Sequence, residues 1–418
     1  MVDAHFLAAS PESVGVDPER LDALFERAER EVREGVLPSM QIAVARNGKI
    51  AGIRSFGRVH HEGREADATD DTLYCVFSCT KAITSAAAWI LMQEGKLDPT
   101  ERAADIVPEF GTHGKEAITV EQLMTHTAGF PHAPFLPPDF PDRTRRRERF
   151  AEWRLNWAPG SRFEYHPSSS MYVLADIIER RADTEYRAFV RERIAEPLGL
   201  RDLWVGLPRA EHGRLADVEY VGAEPSDEEY ARLGVPKPAV TEVTEDALKG
   251  FNQPAWRDAG VPGGGGTMTA AAIALFYQAL LTGRAHDGAE VWRPDTIAMA
   301  RRIRTEGLND LLYGVPSCRG LGLIISGDQT RPLRGFGHGN SPDAFGHGGA
   351  GGQIAWVDPT SGISIGYVTN GHDRHVLRRG RRGTGIASRA ALCALGDTRR
   401  MPGPTQAPPA RASVAPRA

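Results

Sequence analysis

Strand pairs stand near both ends of this chain, and a fold that starts and finishes in strands has to bring its two ends together. Residues 41–45 (Gln-Ile-Ala-Val-Ala) and 49–53 (Lys-Ile-Ala-Gly-Ile) flank Asn47-Gly48. That dipeptide takes up the left-handed backbone of a tight hairpin. Near the other end, residues 351–357 and 362–368 flank Asp358-Pro-Thr-Ser361 and predict a second hairpin. Helical patterns fill the space between. Residues 17–34 carry Leu21, Leu24, Phe25, Ala28 and Val32 on one stripe behind an Asp17-Pro18 start. The expectation is an α+β protein with one antiparallel sheet assembled from both chain ends, covered by helices, and a mostly helical insertion in the middle.

We expect one catalytic unit over residues 10–395. Its α/β part takes about 10–75 and 285–395, and its mostly helical part about 76–284. A disordered tail over 397–418 follows, rich in Pro, Ala and Arg. Ala387 to Leu395 is expected to be the final helix, and the run Arg378, Arg379, Arg381, Arg382 a solvated stretch. The five prolines of 131–141 exclude helix and central strand there, leaving a rigid apolar lip or a packed surface loop. Residues 201–256 are polar, proline-punctuated and not assignable in detail.

Composition narrows the function classes. With 50 basic and 54 acidic residues the net charge is −4, which gives no basis for nucleic acid or an anionic membrane as partner. No apolar window approaches the length of a membrane span, and the first fifteen residues lack the basic and apolar regions of a secretory leader. The four cysteines show no metal-ligand spacing and read as reduced, so a cytoplasmic protein is expected. No His-Glu-x-x-His occurs, and no metal or cofactor is expected. The run Gly263–Gly266 lacks the Gly-Lys-Ser/Thr of a phosphate loop, and Gly346, Gly348, Gly351 precede a strand instead of following one, so neither is a nucleotide site.

The chemistry concentrates on Phe77-Ser78-Cys79-Thr80-Lys81, at the start of an almost wholly apolar helical segment that ends at Gly95. Ser78 falls at the helix N-terminus, where free N–H groups favour developing negative charge. Lys81, three residues on, projects from nearly the same side. An amine held in an apolar site can accept the serine proton, which an arginine cannot. Ser-x-x-Lys arises by chance about once in a few hundred residues of average composition, so a capping serine and a surface lysine must be weighed against it. Here the lysine lies on an apolar helix, where an idle charge is costly. Two later stretches add to the signal. In Phe163-Glu-Tyr-His-Pro167, Tyr165 beside Lys81 can share the proton work, with Ser168 as a positioning residue and His166 positioning the substrate by contact. In 345–352 (Phe-Gly-His-Gly-Gly-Ala-Gly-Gly), His347 can meet a substrate carbonyl or carboxylate. Gly348 and Gly349 let a ligand approach the backbone, and an N–H there can pair with that of Ser78 as an oxyanion hole.

These three stretches, in this order, resemble the serine β-lactamase and penicillin-binding-protein superfamily. The likeness is closest to the class C-like branch that includes DD-peptidases and family VIII carboxylesterases. It covers about residues 10–395 and extends to the connecting segments 123–129, 263–269 and 345–370. The resemblance implies a β-lactamase/DD-peptidase-like fold, Ser78 as acylated nucleophile, Lys81 as its activator, and Tyr165 as partner base and acid. It also implies an oxyanion hole from the Ser78 and Ala350 N–H groups. Whether Lys81 or Tyr165 takes the proton stays open. Pro167 stands where the relatives with antibiotic or cell-wall substrates carry asparagine, and His347 where they carry the lysine of Lys-Thr-Gly. Both departures favour a cytoplasmic serine hydrolase acting on small esters. An acyltransferase using the same acyl-enzyme, a β-lactamase or DD-peptidase, and a catalytically inactive binding protein are the alternatives. The oligomeric state is not readable.

Overall fold

The computed structural model describes residues 2–61, 63–233 and 243–399. Seven antiparallel strands form the main sheet, in the order Ile324–Ile325, Phe345–Gly346, Ile354–Val357, Ser364–Thr369, Ser39–Arg46, Lys49–His61, Arg64–Asp67. Strands from the C-terminal part thus lie beside strands from the N-terminal part, as the two hairpins predict. The central pair runs Met40↔Thr369 to Ala45↔Ser364.

Along Ser39–Arg46 the side chains divide by pleat. Met40, Ile42 and Val44 join the apolar cluster under the helices Pro18–Arg33 and Val376–Ala390, while Ala43 and Ala45 join the larger core on the opposite face. There the helix Ala270–Thr282 crosses a row of small residues, Ala355, Gly366 and Ala43, in cross-strand register. A Cβ on Gly366 would strike the Ala270 carbonyl, so glycine is what lets this helix lie against the sheet. Gln278 ties the two layers: its amide donates to Ala45 O (3.2 Å), Gly362 O (2.9 Å) and Ser364 Oγ (3.0 Å) and accepts from Gly48 N–H (3.1 Å) at the hairpin turn.

The helix Thr80–Gln93 runs through the interior of the helical region with every residue from Thr80 to Leu91 buried, packed mainly on Ser169–Ala182. A short second sheet, Tyr74–Cys75 with Gly266–Met268 and Leu203–Val205, anchors the entry to that helix.

Several expectations need correction. The boundary at residue 284 cuts behind a helix, Ala270–Thr282, that packs on the sheet. The second C-terminal hairpin begins at Ile354 and not at 351, because Gly351 turns the chain with φ 81°. The final helix is Val376–Ala390, not 387–395, and it contains the arginine run. Helical spacing turns Arg382, Ile386 and Ala390 inward, and Arg382 is 1% exposed beside Asp373 (3.5 Å). Charge density alone hid that stripe. Of the two readings of 131–141, the structure has the packed loop: Phe140 is buried and Phe135 stacks on Tyr172 at 4.2 Å. All but the first three residues of the expected tail lie outside the described residues. No described helix is long and apolar enough to cross a membrane.

Candidate active site

Ser78 sits where a short strand turns into the buried helix. The 3₁₀ turn Phe77–Cys79 follows Tyr74–Cys75 and feeds Thr80–Gln93. Phe77 has φ 46°, in the left-handed region that bulky side chains avoid. Such a residue costs about 1–3 kcal/mol and persists where packing over-determines it. Here Phe251 and His372 clamp the Phe77 ring edge-on at 5.6 and 4.9 Å. Thr80 and the glycine run lock the turn from beneath: Gly266 N–H donates to Thr80 Oγ1 (2.8 Å), and Val76 N–H to Gly266 O (2.9 Å).

Lys81 is fully buried, and its Nζ lies 3.2 Å from Ser78 Oγ. Two carbonyls take its other bonds: Nζ donates to Pro167 O at 2.6 Å and Gly263 O at 2.7 Å. The amine is therefore fixed in direction, with the serine hydroxyl at its one remaining position. Both carbonyls come from stretches that sequence reading valued for other reasons, Pro167 as a departure and Gly263 as a rejected phosphate loop. A Cβ on Gly263 would stand 3.4 Å from Nζ, so the amine fills the space there.

Tyr165 is held through its chain neighbours. Glu164 N–H donates to His126 O and His166 N–H to His126 Nδ1, both at 3.2 Å. His126 can offer both because it ends the helix Val120–Thr125 in a left-handed conformation, φ 60°. The Tyr165 ring centroid lies 5.1 Å from Lys81 Nζ, 4.6 Å from the His126 ring and 6.1 Å from the His347 ring. The phenol thus joins the amine and hydroxyl in one place, but it makes no hydrogen bond to either among the described residues. Catalytic hydrogen bonds commonly tighten only around a substrate.

The third stretch presses on the first. Gly349 N–H donates to Gln353 O (3.1 Å) and Gly352 N–H to Gly349 O (3.2 Å), closing a small loop. Gln353 pins this loop to the sheet through paired bonds with Thr369, each 2.8 Å. A Cβ on Gly349 would collide with Val76 O, which puts the 349–350 backbone directly against the Ser78 turn. Ser78 and Ala350 each sit in the first turn of a 3₁₀ segment, where N–H groups have no partner within the turn. Gly348 follows His347, whose Nδ1 donates to Gly348 O (2.7 Å) while Nε2 is buried without a partner among the described residues.

His166 does not face the cleft. It is fully buried, donates from Nδ1 to Glu164 O (2.7 Å) and accepts at Nε2 from Phe130 N–H (3.1 Å). Both ring nitrogens hold the loop carrying Tyr165, so its expected contact with substrate is withdrawn.

Sequence reading missed His372 and Arg319. His372 packs against both Phe77 and Gly351 and so buttresses the two backbone segments at Ser78. Arg319 Cζ lies 5.6 Å from the Tyr165 ring. Neither has a local signal, one being a histidine after a strand and the other an arginine before an apolar run. Among the described residues no cluster of three or more His, Cys, Asp or Glu could hold a metal. A separate cavity lined by Arg187, Trp204 and Asp258 contains none of the site residues.

Four histidines around this site are buried as neutral rings. Burial lowers His166 and His372 to about 3, and it drives His126 and His347 well below the ordinary range, with Arg319 and Lys81 adding repulsion. In the unfolded chain these rings take a proton near 6.5. Below that pH the unfolded state binds more protons, so stability is full above about 6.5 and is lost as pH falls toward 3. Each ring contributes a slope of up to about 1.4 kcal/mol per pH unit. Urea unfolding at pH 7, 6 and 5 should show a midpoint falling steeply below 6.5. A flat profile would mean that these rings are accessible.

The chain is similar to known proteins in sequence and in fold. Esterase/beta-lactamase LipL of Mycobacterium tuberculosis is 28% identical over 318 residues, spanning 72% of this chain and 70% of that protein. The crystal structure of a penicillin-binding protein homologue from Caulobacter crescentus aligns with a TM-score of 0.75 at 31% identity, covering 90% of this chain and 99% of that one. A family VIII carboxylesterase structure aligns with a TM-score of 0.72 at 27% identity, with coverage of 90% and 99%. A model of the beta-lactamase family matches residues 25–387, and over that span, carrying all three stretches of the site, the chain belongs to the beta-lactamase family.

Proposed function

We propose that the protein hydrolyses small carboxylic esters through an acyl-Ser78 intermediate, without a cofactor. The observation that carries this is the Lys81 amine, tied by two carbonyls and aimed at Ser78 Oγ from 3.2 Å. In its deprotonated form, an amine so tied has its lone pair directed at the hydroxyl. Ser78 Oγ attacks the ester carbonyl while its proton passes to Lys81 Nζ. The oxyanion is met by the Ser78 and Ala350 N–H groups. As the carbonyl reforms, the bond to the alcohol breaks and the proton returns through the Tyr165 hydroxyl to the leaving oxygen. Water then attacks the acyl carbon, gives its proton to the same pair, and Ser78 is released with its hydrogen restored. His347 and the Gly348–Gly349 backbone border the acyl site.

The esterase names of LipL and of the family VIII carboxylesterase support ester substrates. His347 and Pro167 stand in place of the lysine and asparagine carried by relatives that act on β-lactams and cell-wall peptides. Four buried free thiols fit a cytoplasmic location.

Incubation with short-chain 4-nitrophenyl esters should release nitrophenol, and intact mass should increase by one acyl group under single-turnover conditions. Ser78→Ala should lose both signals. Full activity in Ser78→Ala, or nitrocefin turnover exceeding ester turnover, would overturn the reading. Acyl transfer to an added alcohol, scored from the products, would extend it to transferase chemistry.

A further inference from the structure

Arg319 lies just before the edge strand Ile324–Ile325 and is 8% exposed. Its backbone is fixed: the N–H donates to Thr305 Oγ1 (3.1 Å), and the carbonyl accepts from Arg304 N–H (2.8 Å). Its side chain is left uncompensated. No described residue accepts a hydrogen bond from the guanidinium or pairs with it as an acid, and Nη1 is buried without a partner. Asp310 acts on it electrostatically but makes no ion pair, its carboxylate accepting from Leu312 N–H instead (3.0 Å). Two other buried arginines are each matched by an acid at close range. Arg146 meets Asp176 at 2.6 Å, and Arg257 meets Asp217 at 2.6 Å.

Two aromatic rings flank Arg319. The Phe163 and Tyr165 rings lie 5.0 and 5.6 Å from its Cζ. Its charge, with that of Lys81, repels protons from His126 and His347, which adds to their burial and helps keep both rings uncharged. Lys81 already has its three positions taken. A desolvated guanidinium with no ion-pair partner among the described residues is costly to a fold, and this one stands beside the acylation site. The Tyr165 ring is next to Lys81 Nζ on one hand and Arg319 on the other, at 5.1 and 5.6 Å.

We infer that Arg319 receives a carboxylate carried by the substrate, so that the favoured esters bear a second, anionic carboxylate group. The inference rests on the ester-hydrolase reading for its chemistry. The planar guanidinium matches a carboxylate in two-pronged fashion, and stacking on two rings orients that fork before the ligand arrives. The one-ring separation from Lys81 suits a short dicarboxylic half-ester, whose reacting carbonyl reaches Ser78 while its free carboxylate meets Arg319. A desolvated positive charge also draws anionic substrates in preference to neutral ones.

The test compares 4-nitrophenyl butyrate with mono-4-nitrophenyl glutarate, which places the charge on the acyl side, and with 4-carboxyphenyl butyrate, which places it on the leaving group. In the wild type one charged ester should show the higher kcat/KM. In Arg319→Gln the charged-to-neutral ratio should fall at least tenfold, chiefly through KM, and Arg319→Lys should restore part of it. An unchanged ratio in Arg319→Gln overturns the inference. Equal loss on all three esters in kcat, with a displaced pH–rate profile, assigns Arg319 to the Tyr165 proton and overturns it as well. A second measurement is independent of turnover. At matched ionic strength glutarate should raise the wild-type Tm while glutaramide does not, and the glutarate affinity should be at least tenfold weaker in Arg319→Gln. No glutarate response in the wild type sinks the anion site. A glutarate response that needs Arg319, in a protein that acylates no ester, leaves the anion site standing and removes the esterase reading alone.

Discussion

Lys81→Arg should lower kcat/KM for any ester that the wild type cleaves by about 10³-fold or more. The substitution keeps a donor-rich cation, so bonds to Pro167 O and Gly263 O remain available. What it removes is a group able to give up its proton, because a guanidinium stays charged at every accessible pH. The larger head also meets a crowded site, since the space beside Nζ is filled by Gly263. Lys81→Met provides the contrast. It leaves two buried carbonyls without donors, each costing about 1–3 kcal/mol, so a fall in Tm should accompany the loss of rate. Circular dichroism and thermal unfolding separate the two causes. If Lys81→Arg keeps a tenth of the wild-type rate with an unchanged pH profile, the amine is not the base, and the burden shifts to Tyr165.

How far the sequence carries depends on the range of the forces involved. Asn47-Gly48 fixes a hairpin within two residues, and the structure has the strands Ser39–Arg46 and Lys49–His61 there. Asp17 caps its helix through Glu19 and Arg20 N–H, and Thr119 forms a capping box with Gln122. These are contacts between near neighbours, and local chemistry decides them. Ser78 and Lys81 belong to the same class, being one helical turn apart. Tyr165 does not: nothing within its own stretch says that His126 will hold it beside Lys81, and the resemblance placed it there. Gly263, His372 and Arg319 came from neither source, because each acts across a separation in sequence that no periodicity reports. Arg319 and Tyr165 are 154 positions apart. The misread arginine run shows the opposite failure. Residues 378–382 look solvated when counted by charge. In the helix Val376–Ala390 the 3.6-residue period sends Arg382 into the interior while Arg378 pairs with Asp373 at 2.7 Å. His166 was misjudged for a related reason, since a histidine next to a catalytic candidate reads as a contact residue until its two nitrogens are seen to be taken.

Gly349→Ala should reduce kcat by about 10²-fold while leaving the protein folded. Gly349 has φ −121° and ψ 160°, a conformation open to any residue, so the constraint is space and not backbone freedom. An added methyl would run into Val76 O and also press on the Gln353 side chain at 3.0 Å. The loop cannot yield toward the sheet, because Gln353 is bonded to Thr369 through both ends of its amide. It must therefore move away from the Ser78 turn, and it carries the Ala350 N–H with it. A donor displaced by even half an ångström no longer meets an oxyanion that exists only in the transition state. The loss should fall on kcat, with KM changed little, because the ground-state carbonyl carries less charge than the oxyanion does. Gly380→Ala serves as the reference: its Cβ meets nothing within 4 Å, and in the helix Val376–Ala390 alanine should stabilise by about 0.5–1 kcal/mol. A Gly349→Ala protein with wild-type kcat would show that the 349–350 backbone takes no part in the chemistry, and the oxyanion would then have to be met by the Ser78 turn without it.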